Sequence, residues 1–218
     1  MKIELYSRYI KRVLDFMLSL CAIVILSPLF IVLTIIGAIQ MKGNPFFTQR
    51  RPGLIGEDGK ERIFHLIKFR SMTNEKDSNG NLLPDAMRLK KYGLFLRSTS
   101  IDEIPELFNI LIGDMSIVGP RPLMERYLNF YTEDEKRRHL VRPGLTGYAQ
   151  VHGRNTVSWG DRFNMDLFYV ENVSFVFDIK IIVKTILLVL KREGTSNENM
   201  ENFDDYRKRQ WKEKNEEL

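Results

Sequence analysis

Residues 16–39 read FMLSLCAIVILSPLFIVLTIIGAI, 24 positions without a charged side chain. Fifteen of them are Leu, Ile, Val or Phe, worth roughly −6 kcal/mol towards burial in lipid at about −0.4 each. A run of this length suffices to cross a hydrocarbon core of about 30 Å. Pro28 sits in its middle and removes a hydrogen bond to the Val24 carbonyl, costing about 3 kcal/mol in a helix interior. The two halves, 13–26 and 29–40, would measure roughly 21 and 18 Å, so neither spans alone. Basic residues crowd both flanks: Lys2, Arg8, Lys11 and Arg12 before, Lys42, Arg50 and Arg51 after. A single crossing would put one of these clusters on the outer side, against the positive-inside tendency. The pattern therefore predicts a re-entrant membrane helix-turn-helix broken at Ser27-Pro28, with Ser27 bonding a carbonyl freed at the break. An ordinary Pro-kinked membrane anchor is the competing reading. A cleavable signal peptide is not, because the run is too long and no small-residue cleavage site follows.

Working outward, the segment divides the chain into a membrane anchor at 1–41, a catalytic or binding domain at 42–194 and a polar tail at 195–218. The middle portion is long enough for one real core. The formal charge is +5, and the tail from Lys191 holds seven basic and eight acidic residues, leaving +6 on 1–190. That excess suits an anionic membrane surface or phosphate ligands. No dense Lys/Arg helix or RNA-binding aromatic motif is present, so nucleic acid is not expected as a partner. The one cysteine, Cys21, lies in the apolar run, which excludes an intrachain disulfide and a Cys-based metal site.

Periodicity predicts an α+β chain, mainly helical, with amphipathic interfacial helices and a small β element. Gln49-Arg-Arg-Pro-Gly53 reads as a basic turn and Ile63–Met72 as a strand with Lys68 and Arg70 on one face. Asn79-Gly80 marks a loop tip. Helices are expected at 88–97 and from Ser100 to Leu111, with Gly113 as the stop. Thr132-Glu-Asp-Glu135 is a capping-box signature, and 146–151 reads as a short strand. Helical spacing recurs at 159–170, and 179–190 is apolar but too short to span, suiting an interfacial helix or a core cover. In the tail, a helix is expected around 203–212.

The chemistry-bearing feature is the adjacent pair Asp102-Glu103, preceded by Arg97 and followed by Arg-rich loops at Arg121, Arg142 and Arg154. Carboxylates at a helix start are favoured in the ionised form; ionised, they ligate Mg²⁺ or attack phosphorus. Surrounding guanidinium groups bind diphosphate oxygens. Each feature also has a purely structural reading. Ser100-x-x-Glu103 fits a capping box, and Lys68 and Arg70 fit strand-face ion pairing. Arg121, held between Pro120 and Pro122, is the residue least explained by folding alone.

Four stretches occur together: Lys68-Phe-Arg-Ser-Met72, Arg97-Ser-Thr-Ser-Ile-Asp-Glu-Ile-Pro-Glu-Leu107, Gly113-Asp-Met-Ser-Ile-Val-Gly-Pro-Arg-Pro122 and Arg142-Pro-Gly-Leu-Thr-Gly-Tyr-Ala-Gln-Val-His-Gly-Arg154. With the Ser-Pro-broken anchor, they resemble the bacterial sugar transferase family of monotopic phosphoglycosyl transferases, above all its small members that start N-glycan or O-antigen-type assembly. The resemblance implies transfer of a sugar 1-phosphate from a UDP-sugar, expected to be an N-acetylated amino sugar, to polyprenyl phosphate, with release of UMP. It also implies a Mg²⁺-dependent ping-pong mechanism, with Asp102 as nucleophile and Glu103 as its partner near the metal. Arg121 and Arg154 are then the first phosphate ligands, with Lys68, Arg70 and Arg97 behind them. His152 stands where close relatives often carry Asn. The implied setting is the cytoplasmic face of the bacterial inner membrane, with downstream glycosyltransferases as further partners. Two rivals use the same residues: a non-catalytic membrane-anchored scaffold, and a membrane-tethered phosphohydrolase.

Overall fold

The computed structural model describes residues 5–153, 157–191 and 201–216. Its architecture is mostly helical with two small two-stranded sheets. A π-helical turn, Tyr6–Ile10, leads into α1, Lys11–Met41. Helical hydrogen bonding continues through Ser27-Pro28, so the turn expected there does not form. The reason is local. Ser27 Oγ donates to the Val24 carbonyl at 2.8 Å, the acceptor that Pro28 leaves open because it lacks an N–H. The freed carbonyl is satisfied as expected, and that satisfaction lets the helix go on.

One face of α1 is turned towards the protein, buried at both ends and partly buried in the middle. Lys11, Asp15, Ser19, Leu33, Gly37 and Met41 are buried, and Ala22, Ile23, Leu26 and Phe30 pack against core clusters between them. The spacing of three and four residues keeps these on one stripe. The opposite side exposes Val13, Phe16, Met17, Leu20, Val24, Ile25, Ile31, Val32, Ile35 and Ile39. Both ends are tied to the same body of protein. At the N-terminal end Lys11 Nζ lies 2.6 Å from Asp178 Oδ2, and Arg12 donates to the carbonyls of Ile110 and Leu111, each at 2.7 Å. Towards the other end, Tyr92 donates its hydroxyl to the Leu33 carbonyl at 3.1 Å. Gly37 lies so close to Pro45 and Tyr92 that a Cβ would come within 3.0 Å of each.

Strands β1, Phe46–Ile55, and β2, Glu61–Phe69, pair antiparallel from Phe46↔Phe69 to Pro52↔Ile63, with a register shift before Ile55↔Glu61. Residues 49–53, expected as a turn, are thus strand. Pro52 is tolerated because β1 is an edge strand and the irregularity begins there. The turn instead falls around Asp58-Gly59, where Gly59 takes φ +74°. Phe30, Phe46 and Phe69 cluster with ring centroids 5.1–5.8 Å apart, Phe46 stacked on both Phe30 and Phe69, locking α1 to this hairpin just beyond Pro28.

The helix expected at 88–97 is two pieces, α2, Asp85–Arg88, and α3, Lys91–Ser98. After α4, Glu106–Ile112, strand β3, Ser116–Val118, pairs in parallel with β4, Gly144–Thr146. The capping box at Thr132 forms as expected and starts α5, Glu133–Lys136. Of residues 146–151, expected as strand, only Thr146 is strand, at the end of β4, and from Tyr148 the chain is the short helix α6, Tyr148–His152. Helices α7, Trp159–Glu171, and α8, Phe175–Lys191, follow. The tail supplies α9, Phe203–Glu216, which packs on the core: Phe203 is fully buried among Tyr127, Tyr131, Trp159 and Phe163, and Trp159 Nε1 donates to the Glu201 carbonyl at 3.0 Å. Helix α8 buries Asp178 and Ile181 but exposes Phe175, Val176, Ile179, Val183, Ile186, Leu187 and Leu190. Its exposed face and that of α1 are both apolar, and Leu94 and Phe95 of α3 are also exposed.

Candidate active site

The acidic pair sits on a 3-10 turn, Ile101–Glu103, between α3 and α4. The capping box read at Ser100 is absent: Ser100 takes a left-handed backbone, φ +56°, and its side chain makes no cap bond. The turn is closed instead by the Glu103 N–H donating to the Ser100 carbonyl at 3.2 Å. A serine in this region is strained, a cost that persists only where the surroundings hold it. Its effect is to free both carboxylates from capping duty.

Glu103 Oε1 accepts from Lys68 Nζ and from an Arg121 guanidinium NH₂, each at 2.7 Å. Lys68 lies on β2, and Arg121 lies in the Pro120–Pro122 loop after β3, so three separate parts of the chain converge here. Lys68 also reaches Glu106 Oε1 at 3.1 Å. Burial opposes ionisation of Glu103, but the Arg121 and Lys68 charges outweigh it and hold the carboxyl well below the usual range. Glu106, almost fully buried, goes the other way. Desolvation, reinforced by the Glu103 charge, pushes it up to about 7 although Lys68 opposes the shift. Asp102 is raised by burial first and then by Glu103, with Lys68, Arg121 and Arg97 pulling it back. The pair is thus split: Glu103 is a fixed anion and Asp102 a more basic carboxylate beside it.

Of the other predicted ligands, Arg97 donates Nε to Ser71 Oγ at 2.9 Å and is close enough to Asp102 to favour its charge. Arg70 ends the hairpin, its N–H donating to the Pro45 carbonyl at 2.7 Å. Its Nε is buried without a partner, and the structure gives it no contact with the acidic pair. Arg154 lies outside the described residues. His152, in α6, turns Nδ1 to the Tyr148 carbonyl at 2.8 Å.

Three positioning residues were not singled out from the sequence. Glu106 shares Lys68 with Glu103. Asn109, 1% exposed, accepts from the Ile67 N–H at 3.0 Å and donates to the His65 carbonyl at 2.8 Å, fastening α4 to the free edge of β2 next to Lys68. Arg138 forms a buried ion pair with Asp166 at 2.7 Å and donates to the Arg121 carbonyl at 2.8 Å, fixing the loop that carries Arg121. The available signal was a polar residue inside an apolar helical run at Asn109, since buried amides require partners.

A cavity of about 520 Å³ opens from this cluster. Glu103, Arg121, Arg162 and Asp166 line its polar part; Leu26 of α1, Leu107, Ile182 and Ile186 line apolar walls. The cavity is therefore amphiphilic and lies between the two helices with exposed apolar faces. Among the described residues no group of three or more His, Cys, Asp or Glu side chains could hold a metal by itself. Two carboxylates beside a diphosphate are nevertheless an adequate donor set for Mg²⁺, which keeps several waters and takes phosphate oxygens.

Residues 6–192 match the model of the family described as Bacterial sugar transferase. The chain is 52% identical over 171 residues to the uncharacterised sugar transferase EpsL of Bacillus subtilis, covering 78% of this chain and 82% of that one. It is 37% identical over 204 residues to the exopolysaccharide production protein ExoY of Sinorhizobium fredii, covering 85% and 87%. Against the undecaprenyl-phosphate galactose phosphotransferase of Salmonella typhimurium it is 38% identical over 206 residues, which is 86% of this chain but 42% of that enzyme.

Proposed function

The chain belongs to the bacterial sugar transferase family and is a phosphoglycosyl transferase, and from that premise we propose that it moves a sugar 1-phosphate from a UDP-sugar to polyprenyl phosphate by a covalent ping-pong route. The observation that carries the proposal is the split acidic pair: Glu103, clamped by Lys68 and Arg121, lines the polar end of an amphiphilic cavity, and Asp102, raised by burial, is its chain neighbour on the same 3-10 turn. Asp102 attacks the β-phosphorus of the donor. The P–O bond to the UMP portion breaks, UMP leaves with that electron pair, and an aspartyl phosphosugar remains. The acceptor phosphate then attacks the same phosphorus and expels the Asp102 carboxylate. Covalent catalysis lets a water-soluble donor and a lipid acceptor use one site in turn.

Arg121 and Lys68 offset phosphate charge and orient Glu103; Arg97 favours the ionised form of Asp102. Asp102 and Glu103 would hold Mg²⁺, which supplies neutralisation of the diphosphate and of departing UMP. The apolar walls formed by Leu26, Ile182 and Ile186 receive the first isoprene units of the acceptor. For the donor, a UDP-linked N-acetylated amino sugar is our reading. One relative, from Aeromonas hydrophila, carries a name specifying UDP-N-acetylgalactosamine, and another, from Xanthomonas campestris, UDP-glucose.

We place the domain on one side of the membrane, at its cytoplasmic face, with both ends of α1 held on that side. Both ends of α1 are fastened to the same domain, so a single crossing would drag buried ion pairs such as Lys11–Asp178 towards hydrocarbon, at a cost of several kcal/mol per ion. The product would feed glycosyltransferases acting on a polyprenyl-diphosphate sugar.

The test is radiolabelled UDP-sugar with and without polyprenyl phosphate. Label on wild type, its absence in Asp102→Asn, and UMP release are expected. Absence of both label and UMP across a panel of UDP-sugars would leave the scaffold reading, while free sugar phosphate without acceptor would mean hydrolysis. An N-terminal cysteine labelled from the periplasm would overturn the topology.

A further inference from the structure

A second cleft, of about 990 Å³, lies away from the acidic pair, between the start of α1, the end of β1 and the loop before β4. It is lined by Arg8, Lys11, Asp15 and Arg142 among polar groups, and by Leu5, Tyr9, Leu54, Ile55 and Leu140 among apolar ones. No catalytic residue named above reaches it. A volume of this order accommodates a small polar molecule or headgroup.

The charges in and around this cleft do not balance. Lys11 is spent on Asp178. Asp15 Oδ1 is taken by the Ile117 N–H at 3.0 Å. Arg142 uses Nε on the Gly113 carbonyl at 2.9 Å, and Arg12 uses both terminal nitrogens on the carbonyls of Ile110 and Leu111. Among the described residues, none of Arg8, Arg12, Arg62 and Arg142 has a carboxylate at ion-pairing distance. Arg142 pays for this arrangement: burial first, then the like charges of Arg12 and Arg62, weaken its hold on its proton despite Asp15. An anion in the cleft would relieve that repulsion, and guanidinium forks suit phosphate oxygens.

The rim indicates where the anion comes from. Leu5, Tyr9 and Leu140, on two separate stretches of chain, are each more than half exposed and border the cleft. Ile10, at the end of the π-helical turn, and Val13, on the exposed face of α1, continue this apolar rim along the chain. A free phosphate has no use for an apolar rim, whereas a phospholipid needs both parts.

We propose that this cleft binds the headgroup phosphate of an anionic phospholipid, with Arg8 and Arg142 as its ligands and the acyl chains leaving over Leu5, Tyr9 and Leu140. Such a lipid would clamp the entry of α1 to the domain independently of either transferase substrate. The proposal does not depend on the catalytic reading.

The experiment is thermal unfolding of the detergent-purified full chain with phosphatidylglycerol, phosphatidylcholine of the same acyl chains, or inorganic phosphate. A melting shift of several degrees with phosphatidylglycerol alone is expected. It should be lost in Arg8→Gln, an exposed change that breaks no ion pair, and in Arg142→Gln, but kept in Arg142→Lys and in Lys91→Gln outside the cleft. An equal shift with phosphatidylcholine would show apolar binding only, and an equal shift with inorganic phosphate would show a free-anion site; either overturns the proposal. So would an undiminished shift in Arg8→Gln, which remains informative if Arg142→Gln fails to fold.

Discussion

Replacing Asn109 by Ala tests how the site is held together. The amide makes two bonds to the backbone of β2, at 3.0 and 2.8 Å, on residues His65 and Ile67 that flank Leu66 and lead to Lys68. Ala makes neither, so one buried N–H and one buried C=O lose their partner. At about 1–3 kcal/mol for each unsatisfied group, the direct loss is roughly 2–6 kcal/mol. A water entering the vacated space would recover part of it, which leaves about 3 kcal/mol as the working figure. For a chain of this size each kcal/mol moves the melting point by about 2–4 °C, so a drop of roughly 6–12 °C is expected in detergent. Activity should fall as well, below the melting range, because Lys68 loses its fixed position between Glu103 and Glu106. A melting point within about 2 °C of wild type would refute the view that α4 is fastened to β2 through this amide.

Three further outcomes follow from other contacts. Arg138→Met strands Asp166 in a fully buried position, where breaking one partner of a buried pair costs about 3–5 kcal/mol; Arg138→Met with Asp166→Leu should recover most of it, and a double variant no better than the single would contradict the ion-pair account. Glu106 has a folded pKa near 7, above its ordinary value of 4.5, so the folded state holds its proton more tightly. Its stabilising contribution is complete below pH 4.5 and lost as pH rises through 7. Glu106→Gln should therefore gain stability relative to wild type between pH 5 and pH 8, and a difference in melting point that stays constant across that range would contradict the raised pKa. Ile186→Trp narrows the apolar part of the cavity. It should leave labelling of Asp102 by UDP-sugar within about twofold of wild type, and raise KM for polyprenyl phosphate about tenfold or more. Equal effects on both half-reactions would remove the lipid from that wall.

Legibility in the sequence followed the range of the forces involved. Helices α7 and α8 and the Gly113 stop, with φ +99°, were readable because periodicity and backbone freedom are local. The hairpin turn was misplaced because Arg50-Arg51-Pro52-Gly53 carries strong turn chemistry. Tertiary pairing with β2 overrode it, helped by Phe64, which lies 3.3 Å from where a Gly53 Cβ would sit. Strand 146–151 failed for a similar reason: β4 stops after Thr146 because its partner β3 ends at Val118, and the remaining residues coil into α6. The acidic pair was found by adjacency, but its neighbours Glu106 and Asn109 were not: Glu106 looks like an ordinary first-turn carboxylate, and the lone amide of Asn109 in an apolar run does not say which backbone it meets. Only the approach of β2 reveals that both are buried.

The apolar run changes meaning once its buried stripe is known. From sequence, Pro28 argued for a break that would separate two short helices. In the folded chain Ser27 repairs the one open carbonyl, and Phe30 stacks into the β1–β2 hairpin within a turn of the lesion. Hydrophobicity had marked the run as something to bury in lipid, yet one stripe of it faces protein instead: Ser19, Leu33 and Gly37 are buried, and Ala22, Ile23, Leu26 and Phe30 pack partly buried against the core between them. Leu26, one turn above Ala22 and beside the Ser-Pro pair, lines the cavity that Glu103 and Arg121 enter from the other side. The helix is thus a wall of the site as well as an apolar surface, and a substitution there should register in turnover before it registers in membrane attachment.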